Sequence, residues 1–155
     1  MALCFWRHSH PDYGSDPLDP VLSEHGVKES IRAATEIKSR MENPKANFSL
    51  RIISSPLKRC LETAAELASL ESKKILTRTE LRLKDSWESS ADFKERLDLI
   101  LLELKSVKES ELVVLCSHSD VLEYFLNIFG GPRLEIKKGN FFWVVDGRVK
   151  EVNPL

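Results

Sequence analysis

The chain has 155 residues, 42% of them hydrophobic, enough for one globular domain with a sizeable core. Its 23 Lys and Arg nearly balance 24 Asp and Glu, and the net charge of -1 excludes a broad electrostatic footprint for nucleic acid or an anionic membrane. Any anion must therefore be held by a few locally placed cations.

Residues Ala2 to Trp6 are apolar throughout and predict a short buried strand, followed by a loop rich in Pro, Asp, Gly and Ser from Ser9 to about Pro20. From Val21 to about Met41 the pattern is helical. Val27, Ile31, Ala34, Ile37 and Met41 recur at helical spacing, and Asn43-Pro44 ends the run. Leu50 to Ile53 predicts a second strand. Ser55 and Pro56 then read as a helix start, a capping hydroxyl followed by proline at the first helical position. That helix is expected to reach about Leu70, with Leu57, Leu61, Ala64, Ala65 and Ala68 on one face.

Lys74 to Thr77 predicts a third strand, and a polar stretch leads into a helix from about Ala91 to Lys105. Leu112 to Cys116 is the clearest buried strand, with a helix over Ser119 to Ile128 after it and Gly130-Gly131-Pro132 closing that helix. Phe141 to Val145 and Arg148 to Val152 predict a terminal hairpin turned by Asp146-Gly147. This alternation of strand and helix predicts an α/β fold, a three-layer α/β/α sandwich with a mainly parallel central sheet and an antiparallel edge near the C-terminus. No repeat, linker or break in composition divides it, so a single domain over residues 1–155 is expected.

No apolar run approaches a membrane span, and the apolar start is too short for a secretion signal. Cys4, Cys60 and Cys116 lie in apolar segments without metal-ligand spacing, as expected of buried free thiols in a reduced compartment. A soluble, cytoplasmic protein without metal or cofactor is the expectation.

In an open parallel sheet, ligands gather where strands give way to helices at their carboxyl ends. Arg7-His8, Arg59 and Ser117-His118 each fall just past a predicted strand, so the fold class itself draws them to one rim. Arg7 and Arg59 offer planar forks that match phosphate oxygens. The helix after His118 presents free amides at Ser119 and nearby, a seat for an anion. A histidine nucleophile splits phosphoryl transfer into two easier steps, while a second histidine and the arginines stabilise the equatorial oxygens. The pattern predicts a metal-independent phosphoryl-transfer site, and by itself leaves open whether His8 or His118 is the nucleophile. His10 and His25 read as ordinary surface or core residues.

Several blocks carry a resemblance. Arg7-His8-Ser9 resembles the Arg-His-Gly signature of the histidine phosphatase superfamily, the phosphoglycerate-mutase-like fold. The stretch from Asp19 to Gly26 is similar to its Asp-x-Pro-Leu-Ser/Thr-x-x-Gly segment, with Val21 in place of the proline. Ser54 to Ala64 resembles its Ser-Ser-Pro-Leu-x-Arg-Ala-x-x-Thr-Ala block. Glu88-Ser89 with Asp92 and Arg96 is similar to its Gly-Glu-Ser-x-x-Asp-x-x-x-Arg helix start, and Ser117-His118-Ser119 to its second histidine. The blocks come in family order along nearly the whole chain. The resemblance implies that His8 is the phosphorylated nucleophile and that Arg7, Arg59 and His118 complete a phosphate pocket.

The sequence departs from the pattern where Ser9 and Ser119 replace glycines, and where Asp120 brings negative charge close to a dianionic substrate. Esters need a proton donor for the leaving oxygen. Glu80 is its positional candidate, with Glu88 and Asp85 as alternatives beside a reading in which these are solvated loop charges. The mutases carry long insertions that this chain lacks, and its brevity resembles the bacterial phosphohistidine phosphatases. A hydrolase acting on a phosphorylated small molecule or a phosphoprotein is therefore preferred. A phosphoglycerate mutase-type phosphotransferase and a non-catalytic phosphate-binding module remain the alternatives.

Overall fold

The computed structural model describes residues 1–42, 48–131 and 135–154. In chain order the elements are β1 (Ala2–Arg7), α1 (Glu24–Met41), β2 (Ser49–Ser54), α2 (Lys58–Leu70), β3 (Ile75–Thr77), α3 (Ser90–Lys105), β4 (Glu111–Ser117), α4 (Ser119–Ile128), β5 (Phe141–Val145) and β6 (Arg148–Val152). A single 3-10 turn, Thr79–Leu81, follows β3. The six strands form one sheet in the order β3-β2-β4-β1-β5-β6. The first four of these are parallel, while β5 and β6 are antiparallel additions on the β1 side.

Side chains alternate across a strand, so a strand that is apolar at every position must be covered on both faces. In β1, Leu3 and Phe5 enter one apolar cluster with Leu97 and Ile100 of α3 and Val121 and Phe125 of α4. Cys4 and Trp6 enter the other, with Ala33 and Ile37 of α1 and Ala64 and Leu67 of α2. Strand β4 divides likewise, Val113 and Leu115 facing the first cluster and Leu112, Val114 and Cys116 the second. The expected three-layer α/β/α sandwich is what these two cores build. The β5–β6 hairpin turns on Asp146 at φ 51° and Gly147 at φ 74°, the two left-handed residues that a tight hairpin of this twist requires.

The helices differ in detail from their predicted patterns. Helix α1 starts at Glu24 rather than Val21, because Leu22 forms a β-bridge with Pro11 and Ser23 caps the helix by accepting from the Gly26 amide. Its buried face is Gly26, Ser30, Ala33, Ala34 and Ile37, while Val27 and Ile31 stay exposed. Helix α2 starts at Lys58, not at Pro56, and Ser55 is not its cap. Its first amide is held by Asp19 Oδ1 at 2.9 Å, and the face it buries is Cys60, Thr63, Ala64, Leu67 and Ala68, with Ala65 exposed. Asn43-Pro44 and Pro132 lie outside the described residues. No described helix is long and apolar enough to cross a membrane.

Small residues face inward on α1 because the chain after β1 runs against its first turn. A Cβ at position 26 would stand 2.1 Å from the His10 carbonyl oxygen, which in turn accepts from the Ser23 amide and hydroxyl. Gly26→Ala must push the two segments apart and is expected to cost about 1–3 kcal/mol in a urea unfolding titration. Gly147→Ala, where no neighbour stands within 4 Å, should cost only the backbone strain of about 1 kcal/mol.

Candidate active site

Parallel pairing sets three strand exits at one level. Arg7 of β1 pairs with Ser117 of β4, and Ser54 of β2 pairs with Cys116. The ladder then runs on by one rung each way, from the His8 amide to the Ser117 carbonyl at 3.1 Å and from the Ser55 amide to the Cys116 carbonyl at 3.0 Å. His8, Ser55 and His118 are thereby gathered beside one another. The imidazole rings of His8 and His118 meet edge to face, centroids 5.3 Å apart, and both residues are buried.

Each ring is held in one tautomer. His8 Nδ1 lies 2.9 Å from the carbonyl oxygen of Ser9, an acceptor only, so Nδ1 carries the hydrogen and donates it. The Nε2 lone pair of His8 is left free. On His118 the arrangement is reversed. Its Nε2 lies 3.0 Å from the Ser55 hydroxyl and 3.6 Å from the Cys60 thiol, both able to donate. The Ser55 oxygen also accepts weakly from the Leu57 amide, which leaves its hydrogen for the ring. A neutral His118 then carries its hydrogen on Nδ1, and this N–H is buried without an acceptor among the described residues.

Electrostatics keep both rings neutral. Burial first, then the charges of Arg59, Arg7 and Lys138, lower the His8 pKa to about 3, against an opposing hydrogen bond to Ser9. Burial, followed by His8 and the charges of Arg59, Arg7 and Arg96, lowers that of His118 to about 2. Arg59 is half-buried, and among the described residues its guanidinium makes no hydrogen bond or ion pair. Arg7 donates through Nη1 to the Ile136 carbonyl while its buried Nε has no partner, and burial lowers its pKa. Ser119 opens α4, and its amide lies within the first turn, where no intrahelical acceptor exists. A lone pair, an orphan N–H and two guanidiniums without an ion pair among the described residues suit an incoming tetrahedral oxyanion.

The carboxylates sort differently. Glu88 is clamped by Arg96, Nε to Oε2 at 2.8 Å and Nη2 to Oε1 at 2.9 Å, which holds its pKa low. Asp85 lies beside Arg82 and its amide donates to Glu88, so both belong to a brace for the loop. Asp120 is turned into that loop as well, accepting from the Lys84 amide at 2.9 Å. Arg96 completes the brace by donating to the carbonyls of Glu80, Arg82 and Leu83. The Glu80 carboxylate, half-buried at the carboxyl end of β3, has no hydrogen-bond partner among the described residues.

Ser55 and Thr63 escaped the sequence reading as parts of the site. Ser55 looked like a cap, and Thr63 Oγ1 holds the Ser9 amide at 2.9 Å. Both sit in the Ser54 to Ala64 block, so the signal was present, but its hydrogen bonds cross between elements and leave no trace in spacing.

The model of the histidine phosphatase superfamily (branch 1) matches residues 3–85, more than half of the chain. This chain belongs to the histidine phosphatase superfamily. The histidine phosphatase fold is also that of its structural neighbours. A mycobacterial glucosyl-3-phosphoglycerate phosphatase superposes with a TM-score of 0.72 at 20% identity, covering 98% of this chain and 97% of that one. The alpha-ribazole phosphatase of Shigella flexneri gives 0.71 at 14% identity, over 96% and 93%. A phosphoserine phosphatase mutant of Entamoeba histolytica gives 0.69 at 17% identity, over 98% and 95%. No curated protein matches this chain in sequence.

The two neutral imidazoles tie stability to pH. Below the ordinary histidine pKa of 6.5 the unfolded chain takes up protons that the native rings refuse, so stability is full above 6.5 and falls as pH drops toward the lowered native values. Between pH 6.5 and 5 the loss should approach about 1.4 kcal/mol per pH unit for each ring. Urea midpoints measured across that window should fall, and His118→Asn should remove the share of one ring.

Proposed function

We propose that this chain is a hydrolase that takes the phosphoryl group of a phosphomonoester or a phosphohistidine onto His8 and passes it to water. The observation that carries the reading is the complementary pair of tautomers: a free Nε2 on His8 and an orphan Nδ1–H on His118, on rings whose centroids lie 5.3 Å apart. One ring is prepared to attack phosphorus, the other to donate to a phosphoryl oxygen.

His8 needs no prior deprotonation, since its lowered pKa leaves Nε2 unprotonated at neutral pH. In the first step Nε2 forms a bond to phosphorus as the bond to the leaving group breaks in line opposite it. Arg7, Arg59, His118 Nδ1–H and the Ser119 amide meet the three equatorial oxygens, where charge is spread in the transition state. With an ester, the leaving oxygen takes a proton from the Glu80 carboxyl; with a phosphohistidine, the leaving group is an imidazole, which depends less on that donor. In the second step a water oxygen bonds to phosphorus, the phosphorus bond to Nε2 breaks, the water proton passes to Glu80 and phosphate departs.

A metal-free assay on an aryl phosphate, beside a phosphohistidine peptide, tests the reading. Wild type should turn over, be inhibited by vanadate and yield an acid-labile phosphoenzyme. His8→Ala should lose more than about a thousandfold in turnover and form no phosphoenzyme; full activity in that variant would overturn the assignment.

The acid has its own test. Glu80→Gln should lower alkyl-ester hydrolysis by about 10²–10⁴-fold while sparing phosphohistidine. Equal ester rates in the two proteins would remove Glu80 from the mechanism.

A further inference from the structure

His10, His25 and Glu29 have no part in the proposed phosphoryl chemistry, yet they converge. His25 and Glu29 are four residues apart on α1 and share a face, and His10 reaches them from the segment after β1. His10 Nδ1 lies 2.5 Å from Glu29 Oε1, and His25 Nε2 lies 3.7 Å from Glu29 Oε2. The two imidazole centroids are 4.9 Å apart. One donor atom from each of the three residues falls within 4.8 Å of the others, and no other such trio of His, Cys, Asp or Glu occurs among the described residues.

We propose that these three side chains bind a divalent transition-metal ion of the zinc class, with water at the open fourth position. Zinc bonds of 2.0–2.1 Å to histidine nitrogen and carboxylate oxygen separate tetrahedral ligands by about 3.3 Å. The observed 2.5 and 3.7 Å run to different oxygens, Oε1 for His10 and Oε2 for His25, so an ion on one oxygen requires the rings to turn toward it from within a 4.8 Å spread of donor atoms. Both rings are solvent-accessible and have room to turn.

Glu29 is held by its surroundings. Its Oε1 accepts from the His10 backbone amide at 3.0 Å, and its side chain is mostly buried. The His10 backbone is itself tied down by Ser23 and admitted by the missing side chain of Gly26. This is the outer support that orients metal ligands in built sites. An ordinary His–Glu ion pair would need His10 and Glu29 alone. The placement of His25, one turn before Glu29 and with its ring tilted beside that of His10, is what a third ligand would require. The site lies on the wall of the cleft that Arg7, Lys137 and Asn140 also line, two residues along the chain from His8.

The test is a titration of the full-length, tag-free protein with Co²⁺, followed by visible absorption. The expected result is the intense d–d spectrum of four-coordinate cobalt, saturating at one equivalent and displaced by Zn²⁺. His25→Ala, at an exposed position, should keep the circular dichroism of wild type and weaken cobalt binding by about tenfold or more. Glu29→Gln should abolish the four-coordinate spectrum. Absence of that spectrum in wild type, or equal cobalt affinity in His25→Ala, overturns the proposal and leaves a His10–Glu29 ion pair. The readout is spectroscopic, so it stands or falls independently of phosphatase activity.

Discussion

The hydrogen bond from the His8 amide to the Ser117 carbonyl extends the β1–β4 ladder one rung beyond the sheet. Strands that run parallel end at the same side, but nothing obliges their first loop residues to stay together. Here they do, because that rung and its counterpart from Ser55 to Cys116 keep three chains zipped past their last paired residues. On the other flank the Gly139 amide donates to the His8 carbonyl and the Arg7 amide to the Asn140 carbonyl. With both edges of its backbone bonded, His8 keeps little freedom beyond its ring torsions, and the contact with His118 follows from the sheet rather than from any attraction between two imidazoles.

A cluster of two guanidiniums and two imidazoles would repel itself if all four were charged. Burial resolves this by keeping the rings neutral, and the surplus positive charge of Arg7 and Arg59 is left for an anion to neutralise. Several nearby acids are bonded elsewhere, while Glu135, Glu123 and Asp120 oppose part of the Arg7 charge. Glu88 is spent on Arg96, Asp120 on the Lys84 amide and Glu29 on His10. A near-neutral chain thus achieves local positive potential by occupying its carboxylates elsewhere, which is the only route its overall composition leaves open.

Legibility in the sequence followed the range of the forces involved. Strand β4 and helix α4 were readable nearly to the residue, since apolar runs and glycine stops act locally. The start of α2 was misread because Ser55-Pro56 has the local chemistry of a cap, yet the serine hydroxyl is drawn 63 positions away to His118 and Asp19 takes the capping role. The inward face of α1 was misjudged for a similar reason: close approach of the chain after β1 favours Gly26 and Ser30 over Val27 and Ile31, and periodicity rewards size. That Arg7, His8, Arg59 and His118 would cluster could be read because the fold class sends strand exits to one rim. Tautomers could not, since they depend on hydrogen bonds between elements.

The residues around His8 are secured to two helices rather than to the loop that follows them. Ser9 is held by Thr63 of α2 through its amide and by Ser30 of α1 through its hydroxyl, and His10 is held by Ser23 and Glu29. The stretch from Tyr13 to Leu18 hangs between anchored ends, with Tyr13 and Leu18 themselves largely exposed. Anchorage and reach are therefore separate properties of one connection. The loop can lengthen, change its side chains or be cut without unseating the histidine at its root, so it offers a region in which choice of substrate could be rewritten while the attacking nitrogen stays where the sheet has put it.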